Sequence, residues 1–137
     1  MNNKKLNIGV TDIILLVLSA VFFLGLLTFL APCGPKDDGS WMTCHWAGQA
    51  LRGISAVLLV ISGIHFFVKD SKIKLGLSLA AIPAAILSLI LPGNLIGLCM
   101  MNTMRCHSVM RTGTMIISVL ILVAALCDAL LQKQKAK

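Results

Sequence analysis

Apolar residues in this chain run on without interruption instead of alternating. Four stretches, 13–31, 47–68, 75–91 and 114–131, carry almost no charge. Each has roughly the twenty residues that cross a hydrocarbon core about 30 Å thick at 1.5 Å per residue. Strands of a membrane barrel would alternate in pieces of about ten residues, and no such alternation is present. The pattern predicts an all-α fold, an integral membrane four-helix bundle in which residues 1–137 form one membrane domain. Two longer loops, 32–46 and 92–113, lie at one end, with both termini and a short middle turn at the other. The first run reads as a retained span and not a cleaved leader: a leader's apolar core is about 7 to 15 residues and ends on small residues, whereas this run is longer and meets Pro32.

Composition sharpens the class. Hydrophobic residues make up 58% of the chain and charged ones 12%, against about 25% charged in soluble domains, which excludes a water-soluble globule. The net charge of +7 sits at the ends of the apolar runs without an aromatic-interleaved basic stripe, so no nucleic-acid partner is expected. Lys4, Lys5, Lys69, Lys72, Lys74, Lys133, Lys135 and Lys137 all fall at the terminal end. Lysine-rich short loops stay cytoplasmic. The expectation is a multi-pass protein of the cell membrane, a bacterial cytoplasmic membrane, with the lipid bilayer as its first partner and both termini inside.

The two loops carry related residues. Met42-Thr43-Cys44-His45 reappears as Met104-Arg105-Cys106-His107, and Leu26 to Pro32 resembles Ile86 to Pro92. An internal repeat of two helical hairpins would place both Cys-His pairs at the same membrane face. Four of the five cysteines, Cys33, Cys44, Cys99 and Cys106, lie in these loops. In an oxidising compartment an even count suggests disulfides, with three connectivities open. Pairing within loops, Cys33 with Cys44 and Cys99 with Cys106, would close short rings, each contributing roughly 2.5 to 3 kcal/mol. Cysteine, histidine and thioether also suit copper(I) or haem, with Cys44, His45, Cys106, His107, Met42 and Met104 as candidate ligands. His45, Gln49 and Arg52 follow helical spacing, as do His107, Arg111 and Thr114. Two such polar strips could form an outer docking site, although arginines near helix ends also snorkel to headgroups.

Within the bilayer, Asp12, His65 and Asp128 stand near the terminal end of their helices, where interfacial solvation is expected; a contact between His65 and Asp128 stays open. Gly76, Ala80, Ala84 and Ser88 form a small-residue stripe on the third helix, the expected close seam, with Pro83 beside it. In the second helix Gly53, Ser55, Ser62 and Gly63 offer similar approach. Cys127 is expected to be unpaired and inert. The stretch 93–99 should lie at the loop-end interface, with Trp41 and Trp46 at headgroup level.

The stretch Met42 to Ala50 (MTCHWAGQA), set among four spans with a second Cys-His before the last, resembles a family of small bacterial membrane proteins without an established activity, marked by a Met-x-Cys-His-Trp signature. That likeness implies company with ABC-transporter permeases and transfers no catalytic role. The layout of four spans and four loop cysteines is similar, more loosely, to the DsbB-type membrane oxidases, which pass electrons from thiols to quinone. Their Cys-x-x-Cys pair is missing here. The leading expectation is an accessory or partner-binding subunit, not an enzyme, with disulfide-stapled loops and no cofactor. The alternatives are a quinone-linked thiol-disulfide oxidoreductase and a copper or haem site between the Cys-His units.

Overall fold

The computed structural model describes residues 3–31, 33–98, 101, 103 and 105–137. Four helices carry the chain: α1 Asn3–Leu27, α2 Thr43–Phe67, α3 Ser71–Ile90 and α4 Thr112–Ala136, the last entered through a π-helical stretch, Cys106–Arg111. All four segments are long and apolar enough to cross a membrane. Neighbours pack in ring order, α3 against α4 and α1 against α2 most extensively, with α1–α4 and α2–α3 closing the ring. This is a four-helix bundle of multi-pass membrane type.

Buried positions explain the packing. Asp12, Leu15, Ser19, Phe22 and Leu26 are buried in α1, and Cys44, Gly48, Leu51, Ser55, Leu58, Ser62 and His65 in α2. Lys74, Ser78, Ala81, Ala85 and Ser88 follow in α3, then Thr114, Ser118, Ile121, Ala125, Asp128 and Gln132 in α4. The steps alternate between three and four, a heptad seam that makes knobs-into-holes packing of slightly supercoiled helices. Small residues dominate the seams because lipid provides no hydrophobic drive between helices, so close approach and hydrogen bonds must hold them. Ser19 meets Ser62 at 2.8 Å between α1 and α2, and Ser88 meets Ser118 at 2.9 Å between α3 and α4. Large apolar residues face outward instead: Val17, Leu24, Val60, Leu79 and Leu130 are among the exposed ones.

Several boundaries differ from those read off the sequence. The first helix ends at Leu27, and a turn in which Leu30 N–H reaches the Gly25 carbonyl at 2.7 Å follows. Ala31 precedes a proline, and such a residue is driven out of the α region. The second helix starts at Thr43, so His45 and Cys44 are helical, and the second loop is shortened by the π-helical entry to α4. Expected seams also shift. Gly76 and Ala80 are exposed, and Ser78, Ala81 and Ala85 take the contact face, with Ser88 shared. In α2 the serines are buried while Gly53 is exposed and Gly63 half-buried. Pro83 lies inside the continuous helix α3, on its exposed side. The serine contact of the first hairpin lies deep in the bundle and that of the second near the loops, so the two hairpins do not repeat in their packing.

Candidate functional site

Two clusters of chemically competent side chains occupy opposite ends of the bundle. At the loop end, Cys33, Cys44 and Cys106 offer three sulfurs that all lie within 4.8 Å of one another. Each arrives from a different element. Cys33 follows the turn after α1, Cys44 is in the first turn of α2, and Cys106 opens the π-helical stretch. Cys33 Sγ is 2.8 Å from Cys106 Sγ, and the Cys106 side chain also contacts Cys44. Cys44 and Cys106 are buried and Cys33 is half-buried.

Local sequence explains why the sulfurs converge. The α2 N-cap, Met42, makes no side-chain cap bond, and the positive end of the helix dipole lies beside Cys44. Cys106 and Met110, four residues apart in the π-helical stretch, are both buried; single π turns of this kind recur at functional sites. Gly93, at φ +96°, sits beside this stretch with the Arg111 guanidinium against it, and an added Cβ would meet Arg111 Nε at 3.5 Å.

Disulfides expected within the loops are not formed among the described residues: Cys33, Cys44 and Cys106 are not joined by a disulfide. Cys33 turns to Cys106 of the other loop, with Cys44 within 4.8 Å of both. Cys99 and Met104 lie outside the described residues. The two Cys-His units come together only through their sulfurs. His45 instead stacks on Trp41, with ring centroids 4.0 Å apart, and approaches Gln49 at 3.5 Å. Neither His45 nor His107 belongs to the sulfur group. Arg52 Nε donates to the Leu26 carbonyl at 3.4 Å, while Arg111 covers Gly93 and the Thr114 hydroxyl bonds carbonyls of its own helix. The residues of the two polar strips thus hold separate partners. Trp41 and Trp46 are exposed.

The second cluster corrects the expectation of interfacial solvation. His65 is 1% exposed, Asp12 6% and Asp128 1%. His65 Nε2 lies 2.8 Å from Asp128 Oδ2 and Nδ1 lies 3.2 Å from Asp12 Oδ1. The latter pair is close in charge terms yet lacks hydrogen-bond alignment, and neither atom has another partner. Lys74 donates to Asp12, Ser78 to Asp128, and Gln132 Nε2 reaches Asp128 Oδ1 at 3.4 Å. One residue or more comes from every helix. From sequence Lys74 belongs with the aqueous lysines and Ser78 and Gln132 carry no signal of their own, although Lys74 with Ser78 and Asp128 with Gln132 each hold the i, i+4 spacing that places them on one face. Ser78, His65 and Asp12 stand in the order of a nucleophile, base and orienting acid. Ser78 is fully buried and bonded to Asp128, so it offers no reachable nucleophile. The network ties the four helices together. Cys127 is exposed and free.

A family model described as a domain of unknown function, DUF4418, matches residues 15–131. No curated protein and no solved structure matches the chain.

Proposed function

This chain belongs to the DUF4418 family, and we propose that its loop end is a thiol-disulfide exchange centre in which Cys33 and Cys106 form the exchanging pair and Cys44 is the third thiol. The observation that carries this reading is the 2.8 Å approach of Cys33 to Cys106 with Cys44 beside them. That separation exceeds an S–S bond of about 2.0 Å. It is shorter than the roughly 3.8 to 4.0 Å between two sulfurs sharing one metal at a metal–sulfur bond of about 2.3 Å. Closing the bond removes two electrons and two protons from the thiols, which an external disulfide or quinone takes up. Within the oxidised centre the Cys44 thiolate attacks one sulfur of the bridge, moving the disulfide to Cys44 and releasing the other sulfur as a thiolate, with no net change of oxidation state. The thiol donor is a protein or peptide at the same membrane face, which retains the accessory-subunit expectation, including a transporter permease, within this reading.

The three-sulfur convergence favours a second reading, capture of copper(I) by Cys33, Cys44 and Cys106. It requires the close pair to open by about 1 Å relative to the metal–sulfur geometry above. Alkylation mapping in native membranes, with and without reductant, tests the first reading. The expected result is protection of Cys33 and Cys106 until reductant is added. Full labelling of both without reductant, in a protein that also carries no copper, would remove the exchange reading.

A further inference from the structure

The lipid-facing side of the α3–α4 pair carries a groove of about 530 Å³ lined by Leu75, Leu79 and Ile82 from α3 and Leu126, Ala129, Leu130 and Lys133 from α4. Its volume is in the range of sites that hold one small molecule. Six of its seven lining residues are apolar, and Leu79 and Leu130 are exposed. Among the described residues the only charge on the wall is Lys133, in the last turn of α4. Because α3 and α4 run antiparallel, the N-terminus of α3 is at the same end, and exposed Lys72 lies in its first turn. Asp70, the nearby carboxylate, is committed to the α3 cap, where its side chain accepts from Lys72 N–H at 3.1 Å.

We propose that this groove is a binding site for an anionic glycerophospholipid, with one acyl chain along Leu79, Ile82 and Leu126 and the headgroup phosphate on Lys133. A hydrocarbon chain suits the apolar wall, and the single cation at its terminal-end edge is placed where a phosphate sits when the chain lies parallel to the helices. A neutral headgroup would fill the same groove without using Lys133. A long basic side chain with its stem on apolar surface and its ammonium at headgroup depth is the ordinary position of lysine at a membrane boundary. Charge attraction to anionic lipid then adds to chain burial. The other lysine in this part of α3, Lys74, is turned inward to Asp12, so it does not compete for the phosphate.

The test is native mass spectrometry of the full chain in detergent with equimolar phosphatidylglycerol and phosphatidylcholine of identical acyl chains. The wild-type protein should retain phosphatidylglycerol preferentially. Lys133→Glu should lower that preference about fivefold or more, the effect of one basic residue at an anionic surface, while the retained phosphatidylcholine stays unchanged. Leu79→Trp, which occupies the groove from an exposed position, should reduce retention of both lipids. Equal retention of the two lipids by the wild type would overturn the proposal, as would a Lys133→Glu protein with the wild-type preference. So would displacement of the lipid by inorganic phosphate at matching concentration, since that would locate the affinity in the headgroup alone.

Discussion

Cys33 and Cys106 stand 73 positions apart in the chain and meet at 2.8 Å across the two loops of the bundle. A bridge between them would close α2, α3 and the two loops into one ring, fastening the end of α1 to the start of α4. The chain-entropy model gives about 4 to 5 kcal/mol for rings of this order, more than either short within-loop staple would contribute. Relative to the oxidised wild-type protein, Cys33→Ser should therefore lose as much stability as Cys106→Ser, and the double variant should lose little more. Unfolding in denaturing detergent, with and without reductant, measures this; additive losses would mean that the two sulfurs act separately.

Cys44 has a different role in the same centre. Cys44→Ser should leave the Cys33–Cys106 pair able to oxidise but slow its exchange with a small disulfide probe by an order of magnitude or more, because the attacking thiol is gone. Stopped-flow release of the probe's chromophore gives the rate. An unchanged rate would assign exchange to another thiol.

At the opposite end, Asp12 and Lys74 form a buried ion pair within the network around His65. Removing one partner strands a charge in a low-dielectric seam, at a cost of about 3 to 5 kcal/mol. Asp12→Asn and Lys74→Met should each approach that loss, and the double variant should lose less than the sum of the two. A double-mutant cycle on unfolding free energy checks the sign. Additivity would mean that the pair is not coupled.

Interhelical serines should contribute far less. Ser19→Ala and Ser62→Ala each remove the 2.8 Å bond between α1 and α2, and cycles of this kind in membrane bundles give about 0.6 kcal/mol, with a maximum near 1.7. A loss above about 2 kcal/mol for either serine would show that cavity or backbone effects outweigh the hydrogen bond.

Gly93 is the backbone test of the loop end. At φ +96° an L-residue is strained by about 1 to 2 kcal/mol, and its Cβ would lie in van der Waals contact with Arg111. Gly93→Ala should lower stability by about that amount and alter alkylation rates at Cys106, which shares the π-helical stretch with Arg111. Stability loss with unaltered Cys106 reactivity would separate the Arg111 contact from the thiol centre.

The four spans were legible because continuous hydropathy is a local property, and so was the gathering of chemistry in the loops. Cysteine partners were not, since connectivity depends on how loops 60 residues apart fold back, and sequence order favours the nearest thiol. The choice of seam on α3 failed for a geometric reason. A strict i+4 stripe through Gly76, Ala80 and Ala84 drifts around the helix, while the bundle contacts follow the 3.5-residue period through Ser78, Ala81 and Ala85, and the two coincide at Ser88. Lys74 shows the limit of the charge rule. Lysines near a span's end are assigned to the aqueous side, yet a carboxylate on the diagonally placed helix α1, Asp12, draws this one inward. That attraction is invisible until α1 and α3 are placed together, and with it the partners that bury His65.

The most direct test of the central claim is mass-spectrometric mapping of disulfides in protein oxidised within its native membrane and digested under alkylating, non-reducing conditions. The expected result is a cross-linked peptide joining Cys33 to Cys106, lost in Cys33→Ser and persisting in Cys44→Ser. A Cys33–Cys44 linkage with Cys106 left free and alkylated would contradict it.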